Sequence, residues 1–384
     1  MRILYISNST SGGGAPASLF NIVEVLSSRH EVAVVLPSAS GRLHDLLVAR
    51  GIRCYADVDY CLDIWPRCQN PFKWIVRMVR LWRNSGYVRK YIGNIIDEYE
   101  PDIVHTNVGP LAIAAHESLR RGIPHVWHMR EYQDKDFGMT FFPSKSSFRR
   151  LINTPGNHNI AITKDIFRHW GLRPERDTVI YNAVRQGEAR PVRNDSSERY
   201  FLYAARIEKG KGLMNVLRAF RIYRNSGGQS RLKVAGVGRG LYNIMCRMYV
   251  KVFRLSDSVD FLGFRDDIRS LMACADAFVM SSISEGFGLT TVEAMQEGCL
   301  VIGMNTAGTA EQFDRGRELC GREIGVRFSD IRTLAAAMES VSSPENRDGY
   351  TMMKADAHRV ALECYSIDRY ASEIEEFYLK IRKG

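Results

Sequence analysis

The sequence predicts an α/β protein of two doubly wound domains in tandem, facing one another across a cleft. Three observations carry that reading. Short apolar runs alternate with longer helix-like stretches, the pattern of parallel strands joined by crossover helices. The alternation breaks at 186–199, where the chain reads QGEARPVRNDSSER, and then starts afresh. At 384 residues, the chain also exceeds what one ordinary hydrophobic core organises.

In the first half, apolar runs at 3–6, 32–36, 103–105 and 125–128 read as strands. In the second half, the runs at 200–204, 231–235, 258–262, 277–280 and 300–303 repeat the pattern. The expected organisation is a first domain over 1–185, a linker at 186–199, a second domain over 200–365 and a tail at 366–384. Ile367, Tyr370, Ile374 and Phe377 in the tail share a helical face, and its closing basic residues suit a helix C-terminus.

With 45% hydrophobic and 25% charged residues, the composition is globular, which excludes a largely disordered chain. The eight cysteines, at 54, 61, 68, 246, 274, 299, 320 and 364, form no C-x-x-C pair and read as reduced, mostly buried thiols. Regular spacing of Cys54, Cys61 and Cys68 hints at a metal, but no histidine cluster adjoins them. The opening MRILYISNST has no long apolar core of the signal-peptide kind, and no stretch is apolar enough to span a bilayer, so a cytoplasmic location is expected. A net charge of +10 favours an anionic partner. The cations are dispersed and no DNA or RNA motif accompanies them, so no nucleic acid is expected.

In open parallel sheets, ligands bind beyond the carboxyl ends of the strands. The loop SGGGAPA at 11–17 follows the first strand, and Gly13 and Gly14 would let backbone amides approach a phosphate. A dinucleotide fingerprint would also need an acid after the second strand, where the chain reads Leu36-Pro37-Ser38; a plain strand-to-helix turn is the other reading. After the strand at 200–204, ARIEKGKG places Arg206 and Lys211 in a glycine-rich turn suited to a pyrophosphate, or to a solvated charged loop. After the strand at 277–280 comes SEGFGLTTVE, in which Glu285 and Glu293 bracket a helix start. Glu285 sits where a ligand hydroxyl would be, whereas Thr290-x-x-Glu293 also fits a capping box in which Glu293 only ties off its helix. His128, at the end of a strand, could orient a sugar or relay a proton; His105 competes with it, and a lone histidine is more often a hydrogen-bonded core residue.

Together these blocks resemble the retaining GT-B glycosyltransferases of family 4, densely in the second half and loosely in the first. Further matches are Ile180-Tyr181-Asn182-Ala183-Val184, Val259-Asp260-Phe261-Leu262-Gly263-Phe264, Ala275-Asp276-Ala277-Phe278-Val279 and Thr306-Ala307-Gly308-Thr309-Ala310-Glu311. The resemblance implies that Arg206 and Lys211 hold the donor diphosphate, Glu285 contacts the transferred sugar and Glu293 takes the ribose. Gly286, Phe287, Gly288, Leu289 and Thr290 would line phosphates and sugar, with Phe264 on the nucleotide side. Gly13 and Gly14 would close over the donor, with His128 as the catalytic histidine near the sugar. No metal or other cofactor is implied, a UDP-sugar is the favoured donor, and the tail should cross back onto the first domain. Ala205, Ala183 and Ala307 stand where the family usually has glycine, and Arg185 where aspartate is common.

At 72–83 the chain reads FKWIVRMVRLWR, placing Lys73, Arg77 and Arg80 on one narrow helical face opposite a wide apolar arc. From Phe72 to Arg83 this is either an anchor for an anionic membrane, supported by the basic stretch 145–150, or an ordinary helix packed on the sheet. With an anchor, peripheral attachment to the inner membrane face and a glycan or lipid-linked acceptor in cell-surface polysaccharide or glycolipid synthesis are expected. The alternatives are a nucleotide-sugar epimerase of the same fold, or a non-catalytic nucleotide- or nucleic-acid-binding protein.

Overall fold

The computed structural model describes residues 1–11, 13–60, 64–66, 71–187 and 198–383. Gly12, Cys61, Cys68 and most of the polar stretch at 186–199 lie outside the described residues. The chain divides into two compact units, Met1–Ala183 with Ile367–Gly384, and Val184–Ser366.

The strands of the first unit are β1 (Arg2–Ile6), β2 (Glu31–Val35), β3 (Arg53–Tyr55), β4 (Ile64–Pro66), β5 (Ile103–Thr106), β6 (His125–Met129), β7 (Met139–Phe141), β8 (Asn157–Ala161) and β9 (Thr178–Val179). Seven of them form a parallel sheet in the order β3-β2-β1-β5-β6-β8-β9, and β4 pairs antiparallel with β7. Side chains along a strand alternate between faces, so β1 feeds two cores. Ile3 and Tyr5 join Leu19 and Ile22 of helix Gly14–Leu26. Leu4 and Ile6 join Ile92 and Ile96 of helix Pro71–Tyr99. The helix Ile367–Lys383 returns to the first of these cores, burying Tyr370, Ile374, Phe377, Tyr378 and Ile381.

β8 reads NHNIA, too polar to be found by a search for apolar runs. Its asparagines make tertiary hydrogen bonds: Asn157 Oδ1 lies 3.0 Å from His125 Nδ1 and accepts from Trp127 Nε1 at 3.2 Å, and Asn159 Nδ2 donates to Asp177 Oδ1 at 2.8 Å.

The second unit holds β10 (Tyr200–Ala204), β11 (Arg231–Ala235), β12 (Val259–Gly263), β13 (Ala277–Met280), β14 (Val301–Met304) and β15 (Val326–Phe328). They are parallel, in the order β12-β11-β10-β13-β14-β15. This is the doubly wound order, and the chain reverses direction across the sheet between β10 and β13. Phe201 and Tyr203 of β10 pack with Leu213, Val216, Leu217 and Phe220 of helix Leu213–Asn225. Each such side chain contributes roughly 1.5–3 kcal/mol on burial.

The six described cysteines are free thiols; Cys246, Cys299 and Cys364 are buried, and Cys54, Cys274 and Cys320 partly so. No described helix is long and apolar enough to cross a membrane.

Candidate active site

At the reversal point of the second sheet, the loops after β10 and β13 run side by side. The Ile283 amide donates to the Gly210 carbonyl at 3.1 Å, and the Ser281 hydroxyl to the Lys211 carbonyl at 2.8 Å. Gly212 makes that approach possible: its φ is 75°, and a Cβ there would stand 2.2 Å from the Ser281 carbonyl oxygen. As a result Lys211 Nζ donates to Glu285 Oε2 at 2.7 Å, with the two side chains only 28% and 19% exposed. Arg206 is not drawn into this pair. It is exposed and bridges to Glu208 at 3.0 Å.

The helix Ala307–Cys320 clamps the loop that carries Glu285. The Gly308 amide donates to the Glu285 carbonyl at 2.9 Å, and Gln312 Nε2 donates to the carbonyls of Phe287 at 2.7 Å and Gly288 at 3.3 Å. Gly288, with φ 88°, is the N-cap of helix Leu289–Gln296, so the first-turn amides of Leu289 and Thr290 begin beside Glu285 and Gly286.

This overturns the capping-box explanation of Glu293. The helix starts before Thr290 rather than after it, and its N-cap makes no side-chain hydrogen bond. Glu293 instead lies in the second turn, and among the described residues its carboxylate has no hydrogen-bond or ion-pair partner. Burial pushes its carboxyl above the usual range; Arg269 opposes that shift and Glu297 adds to it. Phe264, just past β12, leaves its ring 68% exposed.

Two contributors were not read from the sequence. The loop Gly236-Val237-Gly238-Arg239-Gly240 follows β11, and its Val237 carbonyl accepts from the Ile207 amide at 2.9 Å. A Cβ on Gly236 would stand 2.0 Å from the Ala205 carbonyl oxygen, and one on Gly238 would stand 2.5 Å from that of Ile207. The Arg206 loop therefore rests on these glycines, whose strand, G-x-G-x-G, helix pattern was visible. Gln312 carried no such signal.

In the first unit Gly13 caps helix Gly14–Leu26, and both glycines are exposed after β1. The Ala15 carbonyl accepts from Asn107 Nδ2 at 3.1 Å, joining this loop to the one after β5. His128 is fully buried, and so is His105 to within 1%. The structure brings these two histidines together, with His105 Nε2 lying 3.2 Å from His128 Nδ1. Arg130, also buried, places Nη2 at 3.4 Å from the same Nδ1 and donates to Tyr370 at 3.0 Å and Asn182 at 2.6 Å. Burial, reinforced by Arg130, holds both imidazoles well below their usual range, so both are neutral. Among the described residues, no group of three or more His, Cys, Asp or Glu side chains is placed to hold a metal ion.

A family model for Glycosyl transferases group 1 matches residues 185–359, and one for Glycosyltransferase Family 4 matches residues 12–186. The chain belongs to the family 4 glycosyltransferases of the GT-B fold. It is 26% identical over 188 residues to the N-acetyl-alpha-D-glucosaminyl L-malate synthase of Bacillus anthracis, covering 48% of this chain and 46% of that one. It is 29% identical over 160 residues to the O-antigen biosynthesis glycosyltransferase WclY of Escherichia coli, covering 38% and 42%. Each alignment thus spans less than half of the relative's length. Among solved structures, Anabaena Alr3699/HepE in complex with UDP superposes with a TM-score of 0.79 at 21% identity, over 99% of this chain and 100% of that one, a likeness of fold. In this GT-B chain, the second unit thus carries the lysine, carboxylate and helix N-terminus of a candidate donor site.

Proposed function

We propose that this protein is a retaining, metal-independent glycosyltransferase that moves a sugar from a nucleoside diphosphate sugar, a UDP-sugar first among them, to a glycan or lipid-linked acceptor in cell-surface polysaccharide or glycolipid synthesis. The observation that carries the proposal is the meeting of Lys211, Glu285 and the Gly288-capped helix N-terminus at the reversal point of the second sheet. Fixed donors there would stabilise the charge that develops on a departing diphosphate. Arg206, exposed and paired only across a surface bridge, can swing to a phosphate. Glu293 offers a carboxylate to a ribose diol, and the open ring of Phe264 offers a face to the nucleotide. Glu285 would meet the transferred sugar, and His128 is the candidate catalytic histidine. The UDP bound to Alr3699/HepE and the O-antigen role of WclY support the choice of donor and pathway.

The test is release of nucleoside diphosphate from UDP-, GDP- and ADP-sugars with a chelator present, followed by the anomeric configuration of the product. One donor consumed by wild type and spared by Lys211→Ala supports the reading. No donor consumed, and no diphosphate bound by calorimetry, removes it. A new free sugar or nucleotide sugar formed without acceptor would favour an epimerase.

Membrane attachment is a second part of the proposal. In the first half of helix Pro71–Tyr99, Phe72, Ile75, Val76, Val79 and Trp82 are exposed, Phe72 and Trp82 at 79%. The side chains of Lys73, Arg77 and Arg80 lie outside the described residues. Part of the basic stretch 145–150 is spent locally, since Lys145 pairs with Asp134 and Arg149 donates to the His169 carbonyl. The apolar face is therefore the stronger argument, as exposed aromatics on a basic helix suit the acyl boundary of an anionic surface. Flotation with anionic vesicles at low salt should recover wild type and lose a Phe72→Ser, Trp82→Ser variant. Equal recovery of both, or of neither, removes the anchor.

A further inference from the structure

His128 sits at the end of a hydrogen-bonded chain with a definite direction. The Tyr5 and Tyr378 hydroxyls are 2.9 Å apart, the Tyr378 hydroxyl also contacts His105 Nδ1, and His105 Nε2 contacts His128 Nδ1. Hydroxyls and imidazoles can donate or accept, so the chain taken alone could run either way. Arg130 breaks the symmetry. A guanidinium only donates, and its Nη2 is turned toward His128 Nδ1 at 3.4 Å. That contact favours a lone pair over a proton on Nδ1, and with this bias His105 donates from Nε2, Tyr378 donates to His105 Nδ1 to complete the lock, and Tyr5 donates to Tyr378. A neutral His128 then carries its proton on Nε2, and this buried atom has no partner among the described residues. A buried donor without a partner is destabilising unless something accepts from it.

We propose that Tyr378, His105 and Arg130 are positioning residues that lock His128 in its Nε2–H tautomer, so that the ring presents a hydrogen-bond donor to a ligand oxygen and not a base. The inference rests on the reading above that His128 meets the donor sugar, and it deepens that reading. Sugar hydroxyls and phosphate oxygens are the acceptors that fit. Two of the three groups that set the tautomer, His105 and Arg130, belong to or follow the central strands β5 and β6. Tyr378 comes from the helix Ile367–Lys383, so the end of the chain reaches the candidate catalytic histidine through two hydrogen bonds. Burial keeps both rings neutral, which removes the doubly protonated alternative in which Nδ1 could not accept.

The experiment uses the full chain labelled with 15N-histidine, and long-range 1H–15N correlation spectra with His128 assigned by its loss in His128→Gln. Wild type should show a protonated Nε2 and a bare Nδ1 on His128 from about pH 6 to about pH 8, the range in which an ordinary histidine titrates. Tyr378→Phe keeps the ring packing but removes the donor to His105, and a second tautomer should then appear on both rings. Donor hydrolysis by that variant should fall roughly tenfold in kcat with KM little changed, less than the loss of a whole donor group would cost. His128→Gln replaces the Nε2–H donor with an amide donor but supplies no base, so it should keep much more activity than His128→Leu. A wild-type His128 protonated on Nδ1, or titrating near pH 6.5, overturns the inference. So does a His128→Gln variant as inactive as His128→Leu. If wild type consumes no donor, the transferase reading fails, and the spectra still decide the tautomer.

Discussion

At the scale of single residues, the ion pair between Lys211 and Glu285 sets a sign that mutagenesis can read. A diphosphate that takes Lys211 must compete with the Glu285 carboxylate for the same ammonium, and for a pair this sheltered the competition is worth about 1 kcal/mol. Glu285→Gln should therefore bind UDP several-fold more tightly by calorimetry while turning over donor sugar more slowly; Lys211→Ala should lose on both counts. Unchanged UDP affinity in Glu285→Gln would mean that the carboxylate does not restrain the lysine. Ala307 carries a second prediction. It sits at φ 48°, in the left-handed region where a Cβ costs roughly 1–2 kcal/mol. Ala307→Gly should recover part of this, about 0.5–1 kcal/mol after the added chain entropy of glycine, and raise the calorimetric transition of the unit Val184–Ser366. A lowered transition would show that the helix start tolerates alanine without strain. The Lys211–Glu285 pairing was legible in part, because a charge beside glycines after an apolar run is a local pattern. Gln312 and the Tyr378–His105 link were not, because each acts on backbone or rings far away in sequence, at separations of 24–25 and 273 residues.

At the scale of elements, legibility followed the polarity of what each element buries. β1, β10 and β13 are apolar runs that pack on both faces and stand out from sequence alone. β8 hides because its buried asparagines are paid in hydrogen bonds rather than in apolar area. The helix Pro71–Tyr99 shows the converse limit. Helical apolar spacing runs along it, but only its second half, with Val88, Ile92, Ile95, Ile96 and Tyr99, finds a core, and periodicity does not say which stripe will be covered. The helix Ile367–Lys383 buries five large side chains, worth on the order of 10 kcal/mol, comparable with the whole stability of an ordinary domain. Truncation before Ser366 should therefore abolish the cooperative tryptophan fluorescence transition of the first unit. A truncated chain that still melts cooperatively at a similar temperature would show that the core closes without this helix.

At the scale of the whole molecule, the two units should differ in their response to acid. Eight of the nine histidines fall in the first unit, and only His358 in the second. Six of those eight, His105, His116, His125, His128, His158 and His169, have imidazoles held below their usual range, chiefly by burial. For His125 the fall is from 6.5 to about 3. A depressed histidine pKa means that the unfolded chain takes up the proton first. The stabilisation is complete above about pH 6.5 and is lost as pH falls from there toward the folded value, at up to about 1.4 kcal/mol per pH unit for each ring. The fully buried His105, His125 and His128 alone give a slope of up to about 4 kcal/mol per unit. Paired carboxylates such as Glu117 and Asp356 have lowered values and so add their own loss only at more acidic pH. All five tryptophans, at 65, 74, 82, 127 and 170, also lie in the first unit, with Trp127 and Trp170 fully buried, so fluorescence reports on that unit while calorimetry reports on both. Between about pH 7.5 and about pH 5, the fluorescence midpoint should fall steeply while a second calorimetric transition moves little. Midpoints that fall together would mean that the units unfold as one body, and a flat fluorescence midpoint would mean that the folded rings take up protons as readily as the unfolded ones.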